Sequence, residues 1–198
     1  GLDVIADAMM SLTRPTVDLY RHHLSGTGRE NLVKDSVYVH VYRKAEDADL
    51  SQLAWRMRRD RQVPVEVVKG EALREVEPAL STDYEAAVLI KEQARALDPG
   101  RIGKTLAEKA QSMGVEFKQC RIDRLIPKGG GAWEIETDGG TLEANRIVLA
   151  MGAWSGKLLS DLGVKVALEA ERGYHLVFKN PGVQLNNAIM NVEAKFVA

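Results

Sequence analysis

The ten residues Arg146 to Ser155 (Arg-Ile-Val-Leu-Ala-Met-Gly-Ala-Trp-Ser) constrain this chain more than any other stretch. Ile147, Val148, Leu149 and Ala150 form a short unbroken apolar run, the pattern of a strand buried on both faces. Gly152 stands where the chain must turn, and a residue without Cβ lets a ligand approach the backbone. The helix expected over 153–162 points free N–H groups and a positive dipole end back at that turn. Strand, glycine, helix is how α/β proteins offer backbone donors to a phosphate-bearing cofactor. The pattern alone is weakly specific, since many such turns bind nothing.

The residues before it alternate between helix and strand. Apolar positions at helical spacing run from Val4 to Leu24, with a break at Thr13-Arg14-Pro15. Thr13 is expected to cap the second helix, with Pro15 in its first turn. Residues 36–43 alternate Val37, Val39, Val41 against Tyr38, His40, Tyr42, so the strand has a β-branched face and an aromatic face, and the valine face is expected to be the core side. A helix over 47–61 is expected to bury Leu50, Leu53, Ala54 and Met57, leaving Arg56, Arg58, Arg59 and Arg61 as a solvated basic face. Strands are expected at 65–68 and 86–90, with a short helix at 70–77 ended by Pro78. Asp98-Pro99 is a helix start, with Asp98 as cap, and Ile102, Leu106, Ala110 and Met113 share one face of that helix.

The second half changes pattern. Strands at 115–118 and 122–126, a Gly129-Gly130-Gly131 turn, a strand at 133–137, a turn at Asp138-Gly139-Gly140 and a return at 141–144 make an antiparallel ribbon. Further strands are expected at 165–170, 172–179 and 188–197. The whole predicts an α/β fold of mixed α+β character.

Composition excludes several functions. A net charge of −1 gives no electrostatic case for nucleic acid or an anionic membrane. The one cysteine, Cys120, rules out an internal disulfide or a cysteine-based metal cluster, and makes a reducing, cytoplasmic compartment the default. The four histidines are too scattered for a zinc site, so no metal is expected. The segment Lys195-Phe196-Val197-Ala198 reads as an apolar run that continues.

The order Ala96-Leu97-Asp98-Pro99-Gly100-Arg101, Gly114-Val115-Glu116-Phe117, the ribbon, Val148 to Ser155, then Glu171-Arg172-Gly173-Tyr174-His175 resembles the FAD-dependent oxidoreductases of the D-amino-acid oxidase type, the group of glycine and sarcosine oxidases and D-amino-acid dehydrogenases. Leu73-Arg74-Glu75-Val76-Glu77-Pro78-Ala79-Leu80 resembles the D-amino-acid dehydrogenases in particular. The resemblance implies an incomplete FAD-binding domain of the glutathione-reductase-like kind together with part of a mixed-sheet substrate domain. It assigns 1–95 to the substrate domain, 96–164 to the FAD-binding domain and 165–198 to a return into the substrate sheet. Family members open with a βαβ unit carrying Gly-x-Gly-x-x-Gly; this sequence has none, and the chain looks like the middle of such an enzyme, with weak FAD binding and no activity expected of it alone.

By the same resemblance, the backbone at Arg121 and Ile122 meets the adenine end of FAD, while Met151, Gly152, Ala153 and Trp154 line the ribityl and pyrophosphate. Tyr174, His175 and Lys195 fall where substrate-lining residues are expected, with Met190 nearby. The implied reaction is hydride removal from the Cα of an amino acid or related amine to flavin, followed by hydrolysis of the imine. The fold also hosts 2-hydroxy-acid and glycerol-phosphate dehydrogenases, and a third reading is a catalytically silent binding fragment in which the strand and glycine turn are scaffold only. The electron acceptor is open between oxygen and a quinone chain reached by peripheral membrane association. If the chain is an excerpt, faces of the 99–113 helix and the 146–150 strand should be exposed.

Overall fold

A computed structural model describes all residues 1–198. The chain divides into two compact units, Gly1–Val115 with Phe178–Ala198, and Glu116–Val177.

The first unit is built on a five-stranded sheet in the order β2-β3-β1-β7-β8, with β1 Val33–Tyr42, β2 Val65–Lys69, β3 Ala86–Ala96, β7 Ala188–Asn191 and β8 Phe196–Val197. β7 lies parallel to β1; every other pairing is antiparallel. Five helices accompany the sheet: α1 Leu2–Thr13, α2 Thr16–Leu24, α3 Leu53–Asp60, α4 Glu71–Val76 and α5 Pro99–Ser112. The apolar run Ala86–Ile90 is buried throughout, because β3 sits inside the sheet with packing on both faces. Val39, Val41, Val68, Leu73, Ala87, Leu89 and Ile189 cluster on one face. Tyr42, Trp55, Ala86, Val88 and Ile90 cluster on the other. Burial of each large side chain contributes about 1.5–3 kcal/mol, so both faces of β1 hold the sheet, not the valine face alone.

The α3 helix differs from expectation. It begins at Leu53 after a turn, which rotates the inward face onto Trp55; Leu53 is exposed. The basic face is not uniformly solvated. Arg58 lies over the Trp55 ring at 5.0 Å. The Arg61 side chain is only 13 % exposed and donates to Asp7 Oδ1 at 2.8 Å and Asp3 Oδ1 at 3.0 Å, tying α3 to α1. Thr13 does not cap α2: its hydroxyl donates back to the Met9 carbonyl at 2.9 Å, and Pro15 occupies the cap position. In the helix interior a threonine hydroxyl has that carbonyl within reach. The α5 start is as the sequence predicts, with Asp98 Oδ1 accepting the Arg101 N–H at 2.9 Å.

The second unit contains a three-stranded antiparallel meander, β4 Ile122–Pro127, β5 Trp133–Thr137 and β6 Gly140–Ala144, followed by α6 Ser155–Asp161. Leu125 and Leu158 are its buried apolar side chains. The strands expected at 115–118, 146–150, 165–170 and 172–179 do not form ladders. Val148, expected in a strand buried on both faces, is 89 % exposed. A strand of this kind is stable only between neighbours that take its N–H and C=O groups, and no strand of this chain pairs with these runs. Of the α5 face, Ile102 is buried and Met113 is exposed; within 146–150, Val148 is exposed while Ile147 and Leu149 are half-buried, so the expected exposure holds in part for both segments.

Candidate functional site

The turn after residue 150 is made locally. Met151 donates its N–H to Ser155 Oγ at 3.2 Å, and its carbonyl accepts the Trp154 N–H at 3.2 Å. Gly152 has φ +55°, a backbone conformation that L side chains rarely adopt. A Cβ built there meets nothing within 4 Å, so the space over the turn is open. Ala153 is exposed, and Trp154 is 78 % exposed; the tryptophan is therefore not a core residue of this unit. The helix proper begins at Ser155, after a single 3₁₀ turn over Gly152–Trp154.

The ribbon treats the two adenine candidates differently. Arg121 donates its backbone N–H to Asp138 Oδ1 at 2.9 Å, and its carbonyl accepts the Asp138 N–H at 3.1 Å. Both of its main-chain groups are thus engaged. Ile122 is opposite Thr137. The one main-chain bond there, from the Asp138 N–H to the Arg121 carbonyl, aims toward β5, and because successive residues of a strand aim their main-chain groups to opposite sides, those of Ile122 turn to the outer side of β4, an edge of the meander. The Arg121 guanidinium is held by Asp123 Oδ1 at 2.8 Å. That bond first, and the charges of Asp123 and Asp138 after it, push its already high pKa upward.

Tyr174 is 90 % exposed, and His175 is exposed beside it, on a run without ladder partners. Lys195 sits in the turn between β7 and β8 with φ +55°, its N–H donated to the Asn191 carbonyl at 2.9 Å. Met190 is half-buried in β7 opposite Val197. Lys195 belongs to the first unit, and the other eight candidates, Arg121, Ile122, Met151, Gly152, Ala153, Trp154, Tyr174 and His175, to the second.

His40 and Tyr42 serve packing. The His40 ring lies edge-on between Tyr38 at 4.6 Å and Trp55 at 5.1 Å, and its Nε2 is buried without a partner. Burial, and secondarily the charge of Arg58, lowers its pKa to about 4; the ring is neutral at pH 7. Burial likewise raises the Tyr42 pKa. Sequence reasoning passed over Glu77, which is completely buried. The available signal was slight, a carboxylate between Val76 and Pro78 at a helix end that already carries Arg74 and Glu75.

The residues present fit part of a dinucleotide site. Ile122 offers an open strand edge, Gly152 an uncrowded turn, and 146–150 a run of free main-chain groups. The Gly-x-Gly-x-x-Gly turn is not among them. The profile of a family described as FAD dependent oxidoreductase matches residues 2–196. The chain belongs to this family.

Among the relatives of this FAD-dependent oxidoreductase chain, a D-amino-acid oxidase of Bradyrhizobium diazoefficiens is 28% identical over 192 residues, 97% of this chain and 45% of the relative. A D-amino acid dehydrogenase of Allorhizobium ampelinum is 38% identical over 117 residues, 58% of this chain and 28% of the relative. The crystal structure of L-proline dehydrogenase from P. horikoshii superposes with a TM-score of 0.70 at 16% identity, covering 91% of this chain and 49% of that one; at that identity the likeness concerns the fold. The chain therefore spans less than half the length of these curated relatives. FAD is the cofactor of the family to which it belongs. No helix is long and apolar enough to cross a membrane.

Proposed function

We propose that this chain forms part of an FAD-dependent oxidoreductase that oxidises the Cα–N bond of an amino acid, with the D enantiomer preferred. The observation that carries this reading is the match to a D-amino-acid oxidase along 97% of the chain. FAD, when bound, would accept the hydride that leaves Cα while the amino group gives up a proton, and water would hydrolyse the imine to the oxo acid and ammonia.

Residues 96–164 then serve the cofactor and residues 1–95 and 165–198 the substrate. Ile122, rather than Arg121, offers free main-chain groups to the adenine end, because Asp138 occupies those of its neighbour. Met151, Gly152, Ala153 and Trp154 lie along the ribityl and pyrophosphate. Lys195 provides a cation for the substrate carboxylate. The protein's share of the rate lies in holding the substrate in place and in excluding water. Electrons leave to oxygen or to a quinone at a membrane surface.

The test is a visible spectrum of the intact protein, recorded without oxygen before and after adding D- and L-amino acids separately. Bleaching of a flavin band by D-amino acids is expected. A protein that carries no flavin even after reconstitution with FAD overturns the proposal, and a flavin bleached only by 2-hydroxy acids replaces its substrate.

A further inference from the structure

The short β7–β8 hairpin reaches the sheet after a long connection, and one strand-register slip would turn each of its side chains to the opposite face. Two asparagines four residues apart hold it. Asn187, just before β7, accepts the Val37 N–H on its Oδ1 at 3.0 Å. Val37 lies at the irregularity between β1 and β3, where the pairing shifts between Ser36 and Tyr38. The same Asn187 donates its backbone N–H to Glu77 Oε2 at 3.0 Å and its side-chain Nδ2–H to that oxygen at 3.3 Å, while Asn186 N–H donates there at 2.9 Å. One fully buried carboxylate oxygen thus gathers three donors from this turn.

At the other end Asn191, itself buried, donates from Nδ2 to the Tyr84 hydroxyl at 2.7 Å. Its Oδ1 accepts the Ala194 N–H at 2.8 Å, and its carbonyl accepts the Lys195 N–H. Those two bonds shape the turn that puts Lys195 in the left-handed region, which a non-glycine residue occupies only when its surroundings impose it. Glu77 and Tyr84 both belong to the segment that follows α4. Arg74 fixes that segment by donating to the carbonyls of Leu80 at 2.9 Å, Ser81 at 2.8 Å and Tyr84. Arg43 adds a looser outer tie, 3.5 Å from Asp83 and 3.7 Å from Glu193, over the Tyr84 ring.

We propose that Glu77 and Tyr84 are positioning residues: they clamp β7 at Asn187 and Asn191, and so set the register and turn that present Lys195 to the substrate. The proposal rests on the amino-acid reading given above for the role of Lys195, while the clamp itself rests on geometry within one unit.

The test uses the intact FAD-loaded protein. Tyr84→Phe removes one hydroxyl and leaves a buried Asn191 donor unpaired. It is expected to raise KM for the amino acid about 5- to 20-fold, with kcat within about twofold and the flavin spectrum unchanged. Lys195→Met should raise KM similarly, and the double variant should be no worse than Lys195→Met alone, since residues acting through one contact are not additive. Glu77→Gln keeps an acceptor where three N–H groups converge and should stay near the unsubstituted protein, whereas Glu77→Ala should follow Tyr84→Phe. Amide exchange at Ala194 and Lys195 should quicken about tenfold in Tyr84→Phe.

Independent, multiplying KM effects of Tyr84 and Lys195 would reduce Tyr84 to a structural residue and overturn the proposal. Unchanged exchange in the hairpin would also overturn it. A flavin that no amino acid bleaches in the unsubstituted protein removes the substrate reading, and the exchange measurement then decides the clamp on its own.

Discussion

The two units of this chain spend their apolar residues differently. In the first, a strand run of five apolar residues, Ala86–Ile90, is buried throughout, because β1 and β2 pair with it and helices and loops cover both faces. In the second, the comparable run Ile147–Ala150 has no ladder partner; Val148 and Ala150 are exposed, Ile147 and Leu149 are half-buried, and the only buried apolar side chains are Leu125 and Leu158. Two sequences of the same grammar reach different environments. An apolar run states that a strand wants two neighbours; it does not supply them.

The strongest way to test this contrast is to cut into each unit in turn. Leu73→Ala, at a fully buried position in the first unit, is expected to cost about 2–5 kcal/mol by urea denaturation. A loss under about 1 kcal/mol would mean that this core is loosely packed.

The Gly152 turn comes next. Gly152→Val puts a β-branched side chain at positive φ, which costs about 1–2 kcal/mol, and it fills the space over the turn. FAD affinity of the intact protein is expected to fall at least about tenfold, as read by flavin fluorescence on titration. Gly152→Asn separates the causes, since asparagine tolerates the left-handed region. Recovery of binding in the asparagine variant would assign the effect to backbone strain and remove the argument for close approach.

A smaller effect concerns pH. The His40 pKa is depressed in the folded state, from 6.5 to about 4. The unfolded chain therefore binds more protons between these values, and stability falls as pH drops from about 6.5 toward about 4. Replacing the ring in His40→Phe should flatten the denaturation midpoint across that window. An unchanged slope would place the acid sensitivity elsewhere.

The smallest expected effect is the most pointed. Val148→Ser in this 198-residue chain should shift stability by no more than about 0.5 kcal/mol, the range of surface substitutions. A core-sized loss would show that residues 146–150 are buried after all, and the contrast between the units would collapse.

Several features of the fold are legible in the residues themselves. The Asp98 cap, the break near Pro15, the ribbon turns and the central β3 run follow from short-range rules of capping, proline geometry and period-two patterning. Family membership is legible because the order of motifs extends along nearly the whole chain. The rotation of α3 onto Trp55 is not, since a helix start displaced by a few residues turns a different face inward. The removal of Arg61 from solvent is equally hidden, because its carboxylate partners lie 54 and 58 residues away on α1.

For the candidate site, sequence alone marked Gly152, and its positive φ agrees with a position that suits glycine. It could not distinguish Arg121 from Ile122: the alternation of paired and unpaired main-chain groups depends on the ladder register, which Asp138 reveals. Nor could it find the brace formed by Glu77, Tyr84, Asn187 and Asn191, whose members lie more than a hundred residues apart. Local chemistry determined where this chain turns, caps and alternates. Tertiary structure decided which strands found neighbours and which polar side chains were carried out of water, because both depend on partners distant in sequence.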